Sequence, residues 1–404
     1  MTVTEKIKDK KTIHIISIFF MLCYFISYVT RINYGAIISE MESARHISKS
    51  LLSLALSGSA VTYAAGQIVS GYLGDIFQPK RLIFIGLLTT VATNIAVPFA
   101  GSITLTIAIW CINGFAQAFM WPPLVKMMTS MFTMEDYTKA CIIVSCGSAA
   151  GTIAVYLLSP IIISVSGWKE VFWISAAAAA VFSAFWLKFC PNVKISPQQK
   201  KSRESGSGEK FITPLMILIM IAIILQGSLR DGVTTWMPSL ISETYNMSST
   251  IAILSGVVLP IFSMFSYTLA EQLYKKIFKN IMVCSGAIYA VSAAAGVLLL
   301  ASSGRSAVLS IIGCMLITGC MHGINILLIS FTPPFFAKSG KAALASGLLN
   351  SCTYVGSSIS VYGFAKITEN TGWNTTLWIW LAISVLGVIL CLASSGRWKR
   401  DMMN

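Results

Sequence analysis

Charge is scarce in this 404-residue sequence. Only 11% of its residues are Asp, Glu, Lys or Arg, less than half the share of an ordinary soluble chain, about 25%. Acidic residues are the scarcer sign, 15 against 29 basic, and there are only three histidines. Long polar stretches are missing too. Apart from residues 190–211, nothing is polar for long enough to fold as a soluble domain. The ten cysteines form no C-x-x-C pair and fall in or at the ends of apolar segments, which argues against a metal site or a disulfide framework. G-x-S-x-G, H-E-x-x-H, Walker A and Rossmann fingerprints are all absent, so the sequence gives no sign of an enzyme and calls for no cofactor. Without an ATP site, any transport would draw on solute gradients.

What is present is apolar sequence. Hydrophobic residues make up 55% of the chain, and the mean hydropathy is +0.76. A membrane span needs about 20 apolar residues in a helix. Twelve such segments can be read: 12–40, 51–74, 82–100, 103–126, 139–165, 168–189, 212–241, 250–270, 280–300, 305–332, 341–366 and 373–395. The first lacks a small-residue cleavage site and is too long for a signal peptide, so it is expected to be retained. The expected class is therefore an all-α, multi-pass membrane protein. The net charge of +14 is no nucleic-acid signature, because its placement follows topology. With a cytoplasmic N-terminus, 22 of the 29 Lys and Arg fall in cytoplasmic segments and five on the other side. This positive-inside bias predicts both termini in the cytoplasm of a cell membrane.

The polar stretch 190–211 separates six spans from six. The expected organisation is an N-terminal bundle (1–189), a cytoplasmic linker (190–211) and a C-terminal bundle (212–404). The halves echo each other. "CINGFAQAFMWPPL" (111–124) matches "CMHGINILLISFTPPF" (320–335), and "SGWKEVFWI" (166–174) matches "TGWNTTLWI" (371–379). Motifs recurring in the same order point to two related six-helix bundles. That is a transporter architecture, with the site expected between the halves near the bilayer midplane.

The remaining two basic residues, Arg31 and Arg230, lie inside spans. Each follows the start of its apolar run by 18 residues, from Ile13 and from Ile212, so each stands about 27 Å along its helix. A charge at the bilayer centre costs about 2.5–3.5 kcal/mol on insertion scales. Carboxylates look badly placed to offset it. Arg31 meets no acidic residue until Glu40, and Asp231, next to Arg230, leaves the helix about 100° away from it. Two cations without carboxylate partners are expected to face water and bind an anion, since the guanidinium fork matches phosphate or carboxylate. Tyr24 and Tyr28, seven and three positions before Arg31, share its helical face.

"YFISYVTRIN", "GFAQAFMWPPL" and "SLRDGVTTWMPSL" resemble the organophosphate:phosphate antiporter family of the major facilitator superfamily. That family includes bacterial glycerol-3-phosphate and hexose-6-phosphate transporters and related sensors. The resemblance extends over nearly all twelve spans and implies the major facilitator fold. "GYLGDIFQPKR" (71–81) is similar to the superfamily loop G-x-x-x-D followed by basic residues, with Ile76 where arginine is usual. By resemblance, Arg31 and Arg230 are the phosphate-binding arginines. By the same resemblance Tyr24, Tyr28, Trp121 and Tyr354 line the cavity, while Asp75 and Asp231 are candidates for gating or coupling. Four positions depart from the family. Gln67 stands where glycerol-phosphate members have lysine, Ser148 where they have histidine, Ile32 where lysine follows the first arginine, and Gly227 where a tyrosine precedes the second. His322 is a candidate replacement for the lost histidine, from the other half.

The expected function is secondary transport of a small organic anion, a phosphorylated metabolite exchanged for inorganic phosphate by alternating access. Proton-coupled symport of a carboxylate, through His322 or Asp231, and sugar-phosphate sensing are the alternatives. The expected partners are the substrate anion, a counter-anion and the lipid bilayer, with no nucleic acid, for a chain acting as a monomer. Gln67 and Ser148 are expected to make the cavity less cationic than in the glycerol-phosphate members.

Overall fold

A computed structural model describes residues 2–3, 6–47, 49–193, 212–247, 258–337 and 340–403. Most of the expected linker, 194–211, and the start of the eighth span, 250–257, lie outside them. In chain order the helices are α1 (Lys10–Ala36), α2 (Ile38–Arg45), α3 (Lys49–Ile76), α4 (Pro79–Ala96), α5 (Ile103–Gln117), α6 (Trp121–Met131), α7 (Met134–Val165), α8 (Trp168–Phe189), α9 (Pro214–Tyr245), α10 (Val258–Leu273), α11 (Ile281–Ser302), α12 (Ala307–Asn325) and α13 (Ala342–Trp398). The fold is all-α. The only strands among the described residues are a two-residue parallel pair, Thr2–Val3 with Asn192–Val193.

Helix starts follow capping chemistry. Asp9, Ser102, Thr133, Thr213, Asn280 and Ser306 each accept a backbone N–H of the first turn, as short polar side chains at this position do. Among the described residues, ten helical segments are long and apolar enough to cross a membrane. The last of them folds at Gly372, whose φ of 81° ends one helix and starts another. α10 is a shorter apolar helix, so each expected span has a helix among its described residues. Prolines stand at interruptions of two spans. Residues 118–120 break the fourth, and it resumes with Trp121, Pro122 and Pro123 in the first turn of α6. Pro333 and Pro334 begin a short 3-10 turn. The outward faces carry exposed Val165, Phe265, Ile359 and Leu157, a surface suited to lipid rather than water.

The chain divides into two compact units. Unit 1 is Met1–Ser207 with Pro333–Ser351, and unit 2 is Gly208–Thr332 with Cys352–Asn404. In unit 1, Tyr34, Trp110 and Phe172 stack in a buried cluster with ring centroids 4.8 to 6.1 Å apart.

In each unit the arginine-bearing helix packs backbone-close on another helix, and glycine permits it. A Cβ on Gly147 or Gly151 of α7 would lie 2.4 Å from the Met21 carbonyl oxygen or 2.7 Å from that of Phe25 on α1. In unit 2, a Cβ on Gly227 of α9 would lie 2.2 Å from the Thr353 carbonyl oxygen, and one on Gly356 2.1 Å from that of Ile224. Small residues let membrane helices approach in this way. A tyrosine at position 227, as in the glycerol-phosphate pattern, has no room here. Gly227→Ala is expected to force α9 and α13 apart and cost about 1–3 kcal/mol, read as a lower midpoint of thermal unfolding in detergent. An unchanged midpoint would contradict this packing.

Candidate functional site

Unit 1 gathers an aromatic and cationic cluster around α1. The Arg31 guanidinium carbon lies 4.1 Å from the centroid of the Tyr63 ring and 5.6 Å from that of Tyr28, within cation–π range. The Tyr24 ring stands 5.2 Å from those of both Tyr28 and Trp121. The structure thus brings Tyr24, Tyr28, Arg31 and Trp121 together and adds Tyr63, which the sequence reading missed. A signal was available, because Tyr63 lies four residues before Gln67 and so shares its helical face.

Gln67 is fully buried on α3, and neither atom of its amide meets a hydrogen-bonding group among the described residues. A buried amide left this way costs about 1–3 kcal/mol, so a polar ligand or water would be welcome there. Ser148 is half-buried, and its hydroxyl donates to the Ser145 carbonyl of its own helix at 2.6 Å.

A buried polar network fixes α1 at the level of Arg31. The Thr30 carbonyl accepts the amides of Asn94 (3.1 Å) and Asn113 (3.2 Å). Gln117 donates to the Thr30 hydroxyl at 2.9 Å and accepts from Ser27. Asn33 donates to Asn94 at 2.7 Å. These bonds tie α1 to α4 and α5. Thr30 precedes Arg31, so whatever holds Thr30 sets the direction in which the guanidinium leaves the helix. The sequence reading did not single out these asparagines.

Asp75 sits at the end of α3 with its side chain out of contact with solvent, paired at 3.2 Å with the equally buried Lys126 of α6. Its carboxylate also accepts the backbone N–H groups of Ala343 (3.2 Å) and Leu344 (2.8 Å), capping the start of α13. One carboxylate therefore joins three elements of unit 1. Close by, a Cβ on Gly347 would lie 2.1 Å from the Gln67 carbonyl oxygen. Lys126 was another omission, since a lysine after the Trp-Pro-Pro segment reads as an ordinary interfacial charge.

Unit 2 corrects one expectation. Arg230 and Asp231 were expected to be poor partners because adjacent helical residues diverge. Instead they form a bidentate pair, Nε to Oδ1 at 2.6 Å and Nη2 to Oδ2 at 2.8 Å. The flexible arginine stem reaches across the angle, and the planar fork then matches the carboxylate. The expectation that both arginines lack carboxylate partners therefore fails for Arg230. The pair keeps some access, with 14% of the Arg230 side chain and 28% of the Asp231 side chain exposed. Arg230 also lies 5.9 Å from the Tyr354 ring centroid. His322 of α12 is half-buried, and its Nδ1 lies 3.1 Å from the hydroxyl of Tyr267 on α10. Tyr267 had no motif to mark it. No group of three or more metal-ligating side chains occurs among the described residues.

Residues 20–361 match the Major Facilitator Superfamily. The probable sulfoacetate transporter SauU of Cupriavidus necator is 24% identical, over 90% of this chain and 89% of its own length. A probable hexose phosphate transport protein of Chlamydia trachomatis is 21% identical, over 92% and 88%. The glycerol-3-phosphate transporter of Bacillus subtilis is 22% identical, over 92% and 90%. Among solved structures, the proton:xylose symporter XylE superposes with a TM-score of 0.77 at 12% identity, covering 95% of this chain and 96% of that one. The phosphate-ester relatives are those to which the arginine and Trp-Pro-Pro segments pointed.

Proposed function

Because the chain belongs to the Major Facilitator Superfamily, and is thus a transporter rather than an enzyme, we propose that it carries a small organic anion. The substrate is foremost a phosphorylated metabolite, exchanged for inorganic phosphate by alternating access. The observation that carries this reading is the recurrence of an arginine 18 residues into two apolar runs, Arg31 in unit 1 and Arg230 in unit 2, each beside a tyrosine ring. Both guanidiniums take part in recognising the anion. Tyr24, Tyr28, Tyr63, Trp121 and Tyr354 shape the surroundings, and Gln67, Ser148 and His322 supply neutral polar contacts. Such a donor set suits a tetrahedral oxyanion head, phosphate or sulfonate, and relatives named for hexose phosphate, glycerol 3-phosphate and sulfoacetate fit that class.

Exchange is favoured on charge grounds, since moving one net charge against 100 mV costs about 2.3 kcal/mol. The chain works as a monomer in the cell membrane with both termini in the cytoplasm, as its basic residues are distributed.

With Gln67 and Ser148 in place of cationic and titratable groups, an organic anion is expected to bind more tightly than inorganic phosphate. Titration of the purified protein with phosphate, hexose phosphate, glycerol 3-phosphate and sulfoacetate tests this, together with uptake into proteoliposomes with and without internal phosphate. Equal or tighter binding of inorganic phosphate would contradict the role given to Gln67 and Ser148. Absence of binding and uptake for every anion would contradict the transport reading for this class.

A further inference from the structure

The fork of Arg230 is already occupied. Asp231 takes its Nε and Nη2 in the geometry that an incoming phosphate or carboxylate would use. The two are chain neighbours, so the carboxylate stays tethered next to the guanidinium at a high local concentration. Other groups face the same pair. Ser357 of α13 stands beside the Asp231 carboxylate, and His322 of α12 lies within electrostatic range of both Asp231 and Arg230. Arg31 is seated against the Tyr28 and Tyr63 rings.

We propose that Asp231 is a built-in surrogate anion that holds the Arg230 fork when no substrate is bound and is displaced when substrate arrives. This rests on the reading of Arg230 as a substrate-binding residue. One consequence follows. Substrate displaces a bidentate ion pair, so Asp231 weakens anion affinity. A purely structural Asp231, one that only holds Arg230 in position, would act in the opposite sense on affinity.

Asp231→Asn keeps the shape and removes the charge. The purified, full-length variant is expected to bind hexose phosphate about tenfold more tightly than the parent, or better, since charge-assisted hydrogen bonds to the competitor are lost. Asp231→Ser, a second neutral substitution, is expected to tighten binding in the same direction. Unchanged or weaker binding by a folded Asp231→Asn would overturn the proposal. So would a folded Asp231→Ser that binds no more tightly than the parent. If the parent neither binds nor exchanges hexose phosphate, glycerol 3-phosphate or sulfoacetate, the transport reading itself fails, which is a different result from a parent that binds and a variant that does not tighten.

Discussion

Lys126→Met is expected to lower the stability of the protein by about 3–5 kcal/mol, because it strands the Asp75 carboxylate as an uncompensated buried charge. The side chains of Lys126 and Asp75 are 4% and 0% exposed, so water cannot take the place of the lost partner. Asp75→Asn is expected to cost a similar amount. It strands the Lys126 ammonium and also weakens the cap on the Ala343 and Leu344 N–H groups. The double variant is expected to be less damaged than the sum of the two, since neutralising both partners removes the buried charge altogether. The ten free cysteines are buried or half-buried, so a thiol-reactive dye reports unfolding as they emerge during heating. If either single variant melts with the parent, the pair has no structural weight. If the double variant loses the full sum, the two residues act independently.

Arg31→Lys and Arg230→Lys are each expected to weaken anion binding by about tenfold or more. Lysine keeps the charge but presents a point donor in place of a planar fork. One hydrogen bond to a charged group is worth about 1.5–3 kcal/mol, and 1.4 kcal/mol is a factor of ten. The two variants are expected to differ in their side effects. Arg31→Lys gives up stacking of a guanidinium on Tyr63, whereas Arg230→Lys turns a bidentate pair with Asp231 into a single contact. Affinity of each purified variant for hexose phosphate, with thermal unfolding as a control for folding, is the deciding measurement. A folded variant that binds like the parent would remove that arginine from the site.

The helical spans were legible because a bilayer imposes a length and a polarity on sequence, and 11% charge leaves little room for another class. Arg31 and Arg230 were legible for the same reason, since a cation is conspicuous in an apolar run. Tyr24 and Tyr28 could be placed with Arg31 because all three lie on one helix, where spacing fixes the face. What the sequence leaves open is which face meets which partner. Tyr63 reaches Arg31 from α3, Lys126 reaches Asp75 from α6, Tyr267 reaches His322 from α10, and Asn94 and Asn113 converge on the Thr30 carbonyl from α4 and α5. Each of these pairs spans dozens of residues of chain, and helical period carries no information across such distances. The Arg230–Asp231 pair was missed for a different reason. Backbone angle describes where a side chain leaves the helix, while a long guanidinium stem decides where its charge ends. By itself the sequence determined that this chain spans a membrane many times and holds two intramembrane cations. Only the tertiary structure decided that Tyr63 meets Arg31 and Tyr354 meets Arg230, because those contacts depend on how separate helices are rotated against one another.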